Sequence, residues 1–194
     1  MSLVPTPSQT AGPYFHLGMT DTRSVSRIAG PEVKGERLWL TCRVLDGDGV
    51  PVPDAMIEIW QADAEGKYHG SENSLDHAEK TAEDFSWTGF GRMPTAEDGS
   101  CRFETIKPGR VPGAGSGLQA PHLNVAIFAR GLLKQLHTRI YFCGEPANSE
   151  DAVLALVELQ RRETLIAQLD PARAGHWSFE IHLQGGRETV FFDV

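Results

Sequence analysis

The chain of 194 residues lacks any run of about 18 consecutive apolar residues, so no membrane-spanning helix is expected. It also lacks a basic excess. Lys plus Arg number 18 against 26 Asp plus Glu, giving a formal net charge of −8 and a pI near 5.3. A field of that sign repels phosphate backbones and anionic lipid, which argues against a nucleic-acid or membrane-surface partner. Cysteine is scarce: Cys42, Cys101 and Cys143 lie 59 and 42 residues apart. An odd number without a C-x-x-C pair fits neither a disulfide framework nor a structural zinc site, and a reducing cytoplasm is the expected location. The first 14 residues carry no charged stretch leading into an apolar run, so no export signal is expected.

Several nucleotide, metal and nucleophile signatures are missing too. There is no G-x-x-x-x-G-K-[ST], no H-E-x-x-H and no G-x-S-x-G. Residues 113–118, GAGSGL, approach a dinucleotide fingerprint but lack its third glycine and a following helix, and read as a flexible loop.

What is present is ordinary globular composition, 40% hydrophobic and 23% charged, enough for one core and one domain. Glycine (20) and proline (12) cluster between short runs of period-two alternation. Strands are predicted over residues 37–46, 55–61, 101–106, 122–130, 136–142 and 177–183, with a last one at 189–194. The turn-rich stretch 46–54 joins the first two, and 122–142 reads as a hairpin. Residues 149–169 break the pattern with good helix formers behind Ser149 as N-cap, predicting one helix or two short ones. Segments 16–36 and 69–95 read as long and irregular, suited to a surface or an interface. The expected fold is all-β: a two-sheet antiparallel β-sandwich with one or two short helices.

Among seven histidines, His16, His69, His77 and His176 sit in loop-like context. His122 shares the polar face of the cleanest strand with Asn124 and can point into a cleft, although a satisfied structural histidine is the commoner outcome. Tyr68 at a strand edge and Arg130 at a strand end are further candidates, the latter as a partner for a carboxylate.

Several longer motifs stand in order along nearly the whole chain: TPSQTAGPY at 6–14, EIWQADAEGKY at 58–68, GFGR at 89–92, TIKPG at 105–109, APHLN at 120–124, LHTRIYF at 136–142 and QRRETL at 160–165. In these the chain resembles the intradiol ring-cleavage dioxygenases, specifically the subunit type that lacks the metal. The resemblance implies a transthyretin-like sandwich over residues 1–194 as a single domain, with an N-terminal arm that packs on a partner subunit. The family's catalytic chains hold Fe(III) with two tyrosines and two histidines. Here those positions fall on Tyr68, Val111, His122 and Asn124, so two of four donors are gone, and the arginine before the histidine pair is replaced by Gln119. Valine offers no donor atom and an amide is a poor substitute for imidazole, so this chain alone is expected to hold no metal and to have no catalytic residues of its own.

The resemblance further implies that Fe(III) sits in a beta-type partner subunit, within a higher oligomer of paired protomers. That pair would cleave 3,4-dihydroxybenzoate with O2, between the two oxygen-bearing carbons, to 3-carboxy-cis,cis-muconate, in aromatic degradation through the beta-ketoadipate pathway. The residues this chain would lend to the substrate are Thr10, Gly12, Pro13, Tyr14 and Arg130. Two other readings are weighed. A self-sufficient dioxygenase would have to recruit a residue such as His137 beside Tyr68 and His122. A non-catalytic transthyretin-like module fits residues 46–60 but leaves the N-terminal and Arg130 motifs without purpose.

Overall fold

The computed structural model describes residues 10, 12–21, 23–68, 87–113 and 117–193, with the side chains of residues 13–16 left aside. Ten strands follow a short helix. Helix α1 spans Pro13–Thr20, with Gly12 at its N-cap and proline in its first turn, where the missing N–H costs nothing. The strands are β1 Arg37–Leu45, β2 Met56–Trp60, β3 Phe90–Pro94, β4 Ser100–Ile106, β5 Val111–Pro112, β6 Leu118–Gln119, β7 His122–Phe128, β8 Leu136–Phe142, β9 Ile166–Leu169 and β10 His176–His182. Helix α2, Ala152–Leu156, lies between β8 and β9. Among the described residues no helix is long and apolar enough to cross a membrane.

Alternation places the core as expected. Leu38, Leu40, Cys42 and Val44 of β1 are buried, and so are Leu123, Val125 and Ile127 of β7. They meet Ile57 and Ile59 of β2, Phe103 of β4, and Trp177, Phe179 and Ile181 of β10 in one apolar cluster. Each fully buried side chain of this size contributes about 1.5–3 kcal/mol of transfer free energy. Cys42 and Cys101 face each other across β1 and β4, and the Cys42 thiol is pushed well up by its hydrogen bond to Cys101 and by burial. That makes it a core side chain rather than a nucleophile.

The strand pairing corrects the expected architecture. Eight strands form one hydrogen-bonded series, β3-β2-β7-β8-β9-β10-β1-β4, and not two separate antiparallel sheets. Two pairings are parallel: β1 with β10 over seven residue pairs, and β8 with β9 over Tyr141–Ile166 and Phe142–Ala167. The short β9 is the corner, since its first half pairs with β8 and its second half with β10. The sheet therefore curls around its own core, and Phe142 meets Trp177 edge-on at 5.1 Å across the bend.

Three local readings also change. Ser149 is not the N-cap. Residues 146–150 form a 3-10 turn, and Asp151 caps α2 by accepting from the N–H groups of Val153 and Leu154. Another 3-10 stretch, Leu159–Leu165, leads into β9, so much of the predicted helix is neither α-helical nor continuous. Near the C-terminus there is a single bridge, Phe192 to His137, instead of a strand. The 16–36 segment is tied down by bridges at Val25, Arg27 and Ala29, with His16 inside α1, and the 69–95 segment ends in β3. His176 opens β10 and stacks on Trp39 at 4.9 Å, while His69 and His77 lie outside the described residues.

Candidate functional site

Strand β7 carries a candidate region at each end. At its start, the register places Tyr141 of β8 beside His122 and Arg139 beside Asn124, while Trp60 of β2 stands on the other side of Asn124. These side chains share the face turned away from the main apolar cluster, Tyr141 packing instead with Ala120, Leu154 and Leu165. A cavity of about 550 Å³ opens there, lined by Trp60, Phe90, Asn124, His137, Arg139 and Phe192 among others.

Tyr68 reaches this face from a tight loop. The Asp63 carboxylate accepts from the N–H groups of Glu65 and Lys67, and its carbonyl accepts from Gly66 and Gly109. Gly66 has φ +78°, and a Cβ there would stand 1.9 Å from the Arg110 carbonyl oxygen, so only glycine allows this approach. The EGKY and KPG motifs are thus two halves of one backbone contact. Tyr68 then lies parallel to Trp60 with ring centres 6.4 Å apart. Its hydroxyl accepts a hydrogen bond from Asn124 Nδ2 at 3.0 Å, and the same amide donates to the Trp60 carbonyl at 3.3 Å.

Two of the four positions lack a phenol or imidazole donor. Val111 is buried and offers no donor atom. Asn124 turns its NH2 group, a donor, toward the phenol oxygen that a metal would need. A guanidinium stands close by: Arg139 Nη1 donates to Gln119 Oε1 at 2.6 Å and to the Tyr141 hydroxyl at 3.4 Å. The Tyr141 hydroxyl in turn donates to Asp151 Oδ1 at 3.1 Å, and burial pushes its pKa up to about 12. Among the described residues no group of three or more His, Cys, Asp or Glu side chains converges on a common point.

His122 is held inside the fold. It is buried, and its Nδ1 lies 2.8 Å from the Ala120 carbonyl, an arrangement that fits a donating Nδ1–H. Burial first, and then the Arg139 charge, pull its pKa from 6.5 down to about 4. The unfolded chain therefore takes up the proton first as pH falls. The linked stability is fully present above about pH 6.5 and is lost toward pH 4, about 3 kcal/mol in all. We expect His122→Gln to flatten the fall in urea midpoint between pH 7 and pH 4.5; an unchanged slope would assign that fall to other groups.

At the far end of β7 lies the second region. Arg130 is eight residues beyond His122 and two past the end of β7, at most about 26 Å along a fully extended chain. Here the Thr10 hydroxyl accepts a hydrogen bond from the Gly131 N–H at 2.8 Å, which places Thr10 next to the residue that follows Arg130. Arg130 itself is exposed and pairs with Asp54, Nε to Oδ2 at 2.9 Å. Gly12 and Pro13 open α1 nearby in sequence, and Tyr14 follows within the helix. The structure thus joins Thr10 to the Arg130 strand end and keeps both apart from the Tyr68–His122 region. Sequence reasoning missed Asp54, which reads only as part of a turn, and Asp151 and Arg139, whose roles depend on pairing between distant segments.

A curled mixed sheet carrying a reduced set of phenol and imidazole donors on one face defines a class of chain rather than a working metal centre. The sequence pattern of the dioxygenase family matches residues 10–185, and the chain belongs to that family, in its intradiol ring-cleavage branch. It is 43% identical to the protocatechuate 3,4-dioxygenase alpha chain of Pseudomonas putida, over 97% of this chain and 96% of the relative. It is 34% identical to the beta chain of that enzyme from Burkholderia cepacia, over 84% of this chain and 70% of the relative. Among solved structures it is similar to the dioxygenase domain of a carbohydrate-binding fusion protein from Streptomyces sp. SirexAA-E, with TM-score 0.62 and 27% identity over 94% of this chain and all of that one.

Proposed function

We propose that this chain is the alpha subunit of a protocatechuate 3,4-dioxygenase, completing the substrate site of a ferric beta subunit in the cytoplasm. The observation that carries the reading is a chain that the family pattern matches over residues 10–185, in which only Tyr68 and His122 survive of four donor positions. The whole-length likeness to an alpha chain, and the weaker likeness to a beta chain, point the same way. The iron of the partner would supply the site at which the two catechol oxygens bind, and no step of ring cleavage is assigned to this chain.

Its own contribution is to bind and orient. The substrate, 3,4-dihydroxybenzoate, carries a carboxylate opposite its hydroxyls. Arg130 supplies a planar cation for that carboxylate, Tyr14 a hydroxyl, and Gly12 and Pro13 a close, rigid backbone approach to the ring. Thr10 anchors this N-terminal arm through Gly131, and the arm packs on the partner, within a higher oligomer of alpha-beta protomers. The product of the assembled enzyme with O2 is 3-carboxy-cis,cis-muconate.

The test compares the chain purified alone with the chain co-expressed with a partner that carries both tyrosines and both histidines. The lone chain is expected to be colourless, iron-poor and inert in oxygen uptake with protocatechuate, and the pair to be coloured and active. Iron and oxygen uptake in the lone chain would instead favour the self-sufficient reading, with His137, on the same cavity wall as Asn124, as the donor to examine.

A further inference from the structure

Asp54 lies directly across from Arg130. The antiparallel register of β2 and β7 ends with Met56 paired to Phe128, and just beyond it Asp54, two residues before Met56, meets Arg130, two residues after Phe128. The Asp54 Oδ2 stands 2.9 Å from Arg130 Nε. Among the described residues Asp54 meets Arg130 as an ion pair at Nε, no partner is found for the two terminal nitrogens of Arg130, and none other for the Asp54 carboxylate. A guanidinium has two usable edges, and contact at Nε leaves the terminal pair of nitrogens open for a second carboxylate.

Stability does not explain the pair. The two side chains are 70% and 37% exposed, and ion pairs in such positions contribute little to folding. Asp54 is also the one non-glycine residue with positive φ among those described, at +59°. Glycine or asparagine would take that backbone as readily, so the turn itself does not demand a charge. The neighbouring Thr10–Gly131 contact adds a third chain segment at the same point.

We propose that Asp54 is a positioning residue for Arg130: it holds the guanidinium by its Nε edge and aims the terminal nitrogens at the carboxylate of the aromatic substrate. This rests on the reading of Arg130 given above. A long side chain free to rotate pays conformational entropy when it binds, and a fixed one pays less. The pair sets specificity as well, because an aromatic diol without a carboxylate gains nothing from it.

The experiment is a double-mutant cycle in the assembled enzyme, with Asp54→Asn, Arg130→Ala and the double variant assayed on protocatechuate and on catechol. Asparagine keeps the left-handed backbone and removes only the charge; Asp54→Gly serves as a second variant that cannot strain the turn. Both are expected to raise KM for protocatechuate about fivefold, with a smaller change in kcat and little change with catechol. In the Arg130→Ala background the Asp54 effect should vanish, since Asp54 acts only through that guanidinium. Equal KM increases for both substrates would mark a structural role and overturn the proposal. So would an unchanged KM, or a lowered one, which would make Asp54 a competitor for the guanidinium. If Arg130→Ala leaves the KM for protocatechuate unmoved, the carboxylate role of Arg130 falls and this inference with it. An Arg130 effect beside an inert Asp54 variant overturns the inference alone.

Discussion

Replacing Arg130 by alanine is expected to raise the KM of the assembled enzyme for protocatechuate by about ten- to a hundredfold, with a much smaller effect on catechol. The magnitude follows from the worth of a hydrogen bond to a charged partner, about 1.5–3 kcal/mol, at 1.4 kcal/mol for each tenfold. In the free chain Arg130 is exposed and water serves any anion nearly as well. At a closed subunit interface water is excluded, and the same contact strengthens. Arg130 lies two residues past a strand that the core holds through Leu123, Val125 and Ile127, so its backbone is anchored, while its head meets Asp54. Steady-state kinetics on the two substrates reads the difference directly. Equal losses on both would remove the carboxylate role, because catechol has no group for Arg130 to bind.

The parts of the fold that alternation announced are the strands that bury one face against the core. Strands β1, β2, β4, β7, β8 and β10 each bury every second residue, and a period of two is visible without knowing the neighbour. Strand β3 was hidden because Phe-Gly-Arg-Met-Pro has no alternation; its place is set by Glu58, which pairs with Arg92 at 2.7 Å, and by Gly91, where a Cβ would collide with Phe103. Strand β9 was hidden by the good helix formers before it, and by its being split between two partners. Strand direction is a property of pairs of segments, so the two parallel pairings had no local signature. Tertiary context likewise overrode propensity in residues 149–165, where the Asp151 cap of α2 and the 3-10 stretch from Leu159 divide what composition alone would run together.

The candidate site divides in the same way. His122 and Asn124 were visible on one strand face, and Tyr68 at a strand edge, because their spacing is local. Their roles were not. That His122 is a neutral buried group follows from its burial and then from the Arg139 charge, and that Asn124 donates to Tyr68 follows from two loops closed by Gly66 and Gly109. The meeting of Thr10 with Gly131 spans 121 residues of sequence, and the pairing of Asp54 with Arg130 is fixed by sheet register. Only motif resemblance, not spacing, could have grouped the N-terminal segment with Arg130.

Asp151→Ala is expected to destabilise the chain by about 3–5 kcal/mol, the cost of leaving several buried donors without an acceptor. The carboxylate is buried, and both of its oxygens are used. Oδ1 accepts from Val153 N–H at 2.9 Å, Leu154 N–H at 2.7 Å and the Tyr141 hydroxyl at 3.1 Å, while Oδ2 accepts from Ala120 N–H at 2.7 Å. One side chain therefore caps α2, satisfies a core tyrosine and fixes the entry to β7. Asp151→Asn can keep the first oxygen in place, but it sets an NH2 group against the Ala120 N–H and should lose about half as much. Urea midpoints of the lone chain and of the assembled enzyme measure both. Ala120 leads directly into His122, so the damage falls on the Tyr68–His122 end of β7. If the two ends of that strand do separate work, the Asp151→Asn enzyme should unfold at lower urea yet keep its KM for protocatechuate within about twofold, while Arg130→Ala should do the reverse. A KM that moves with the Asp151 change would mean that substrate placement depends on the whole strand and not on its Arg130 end.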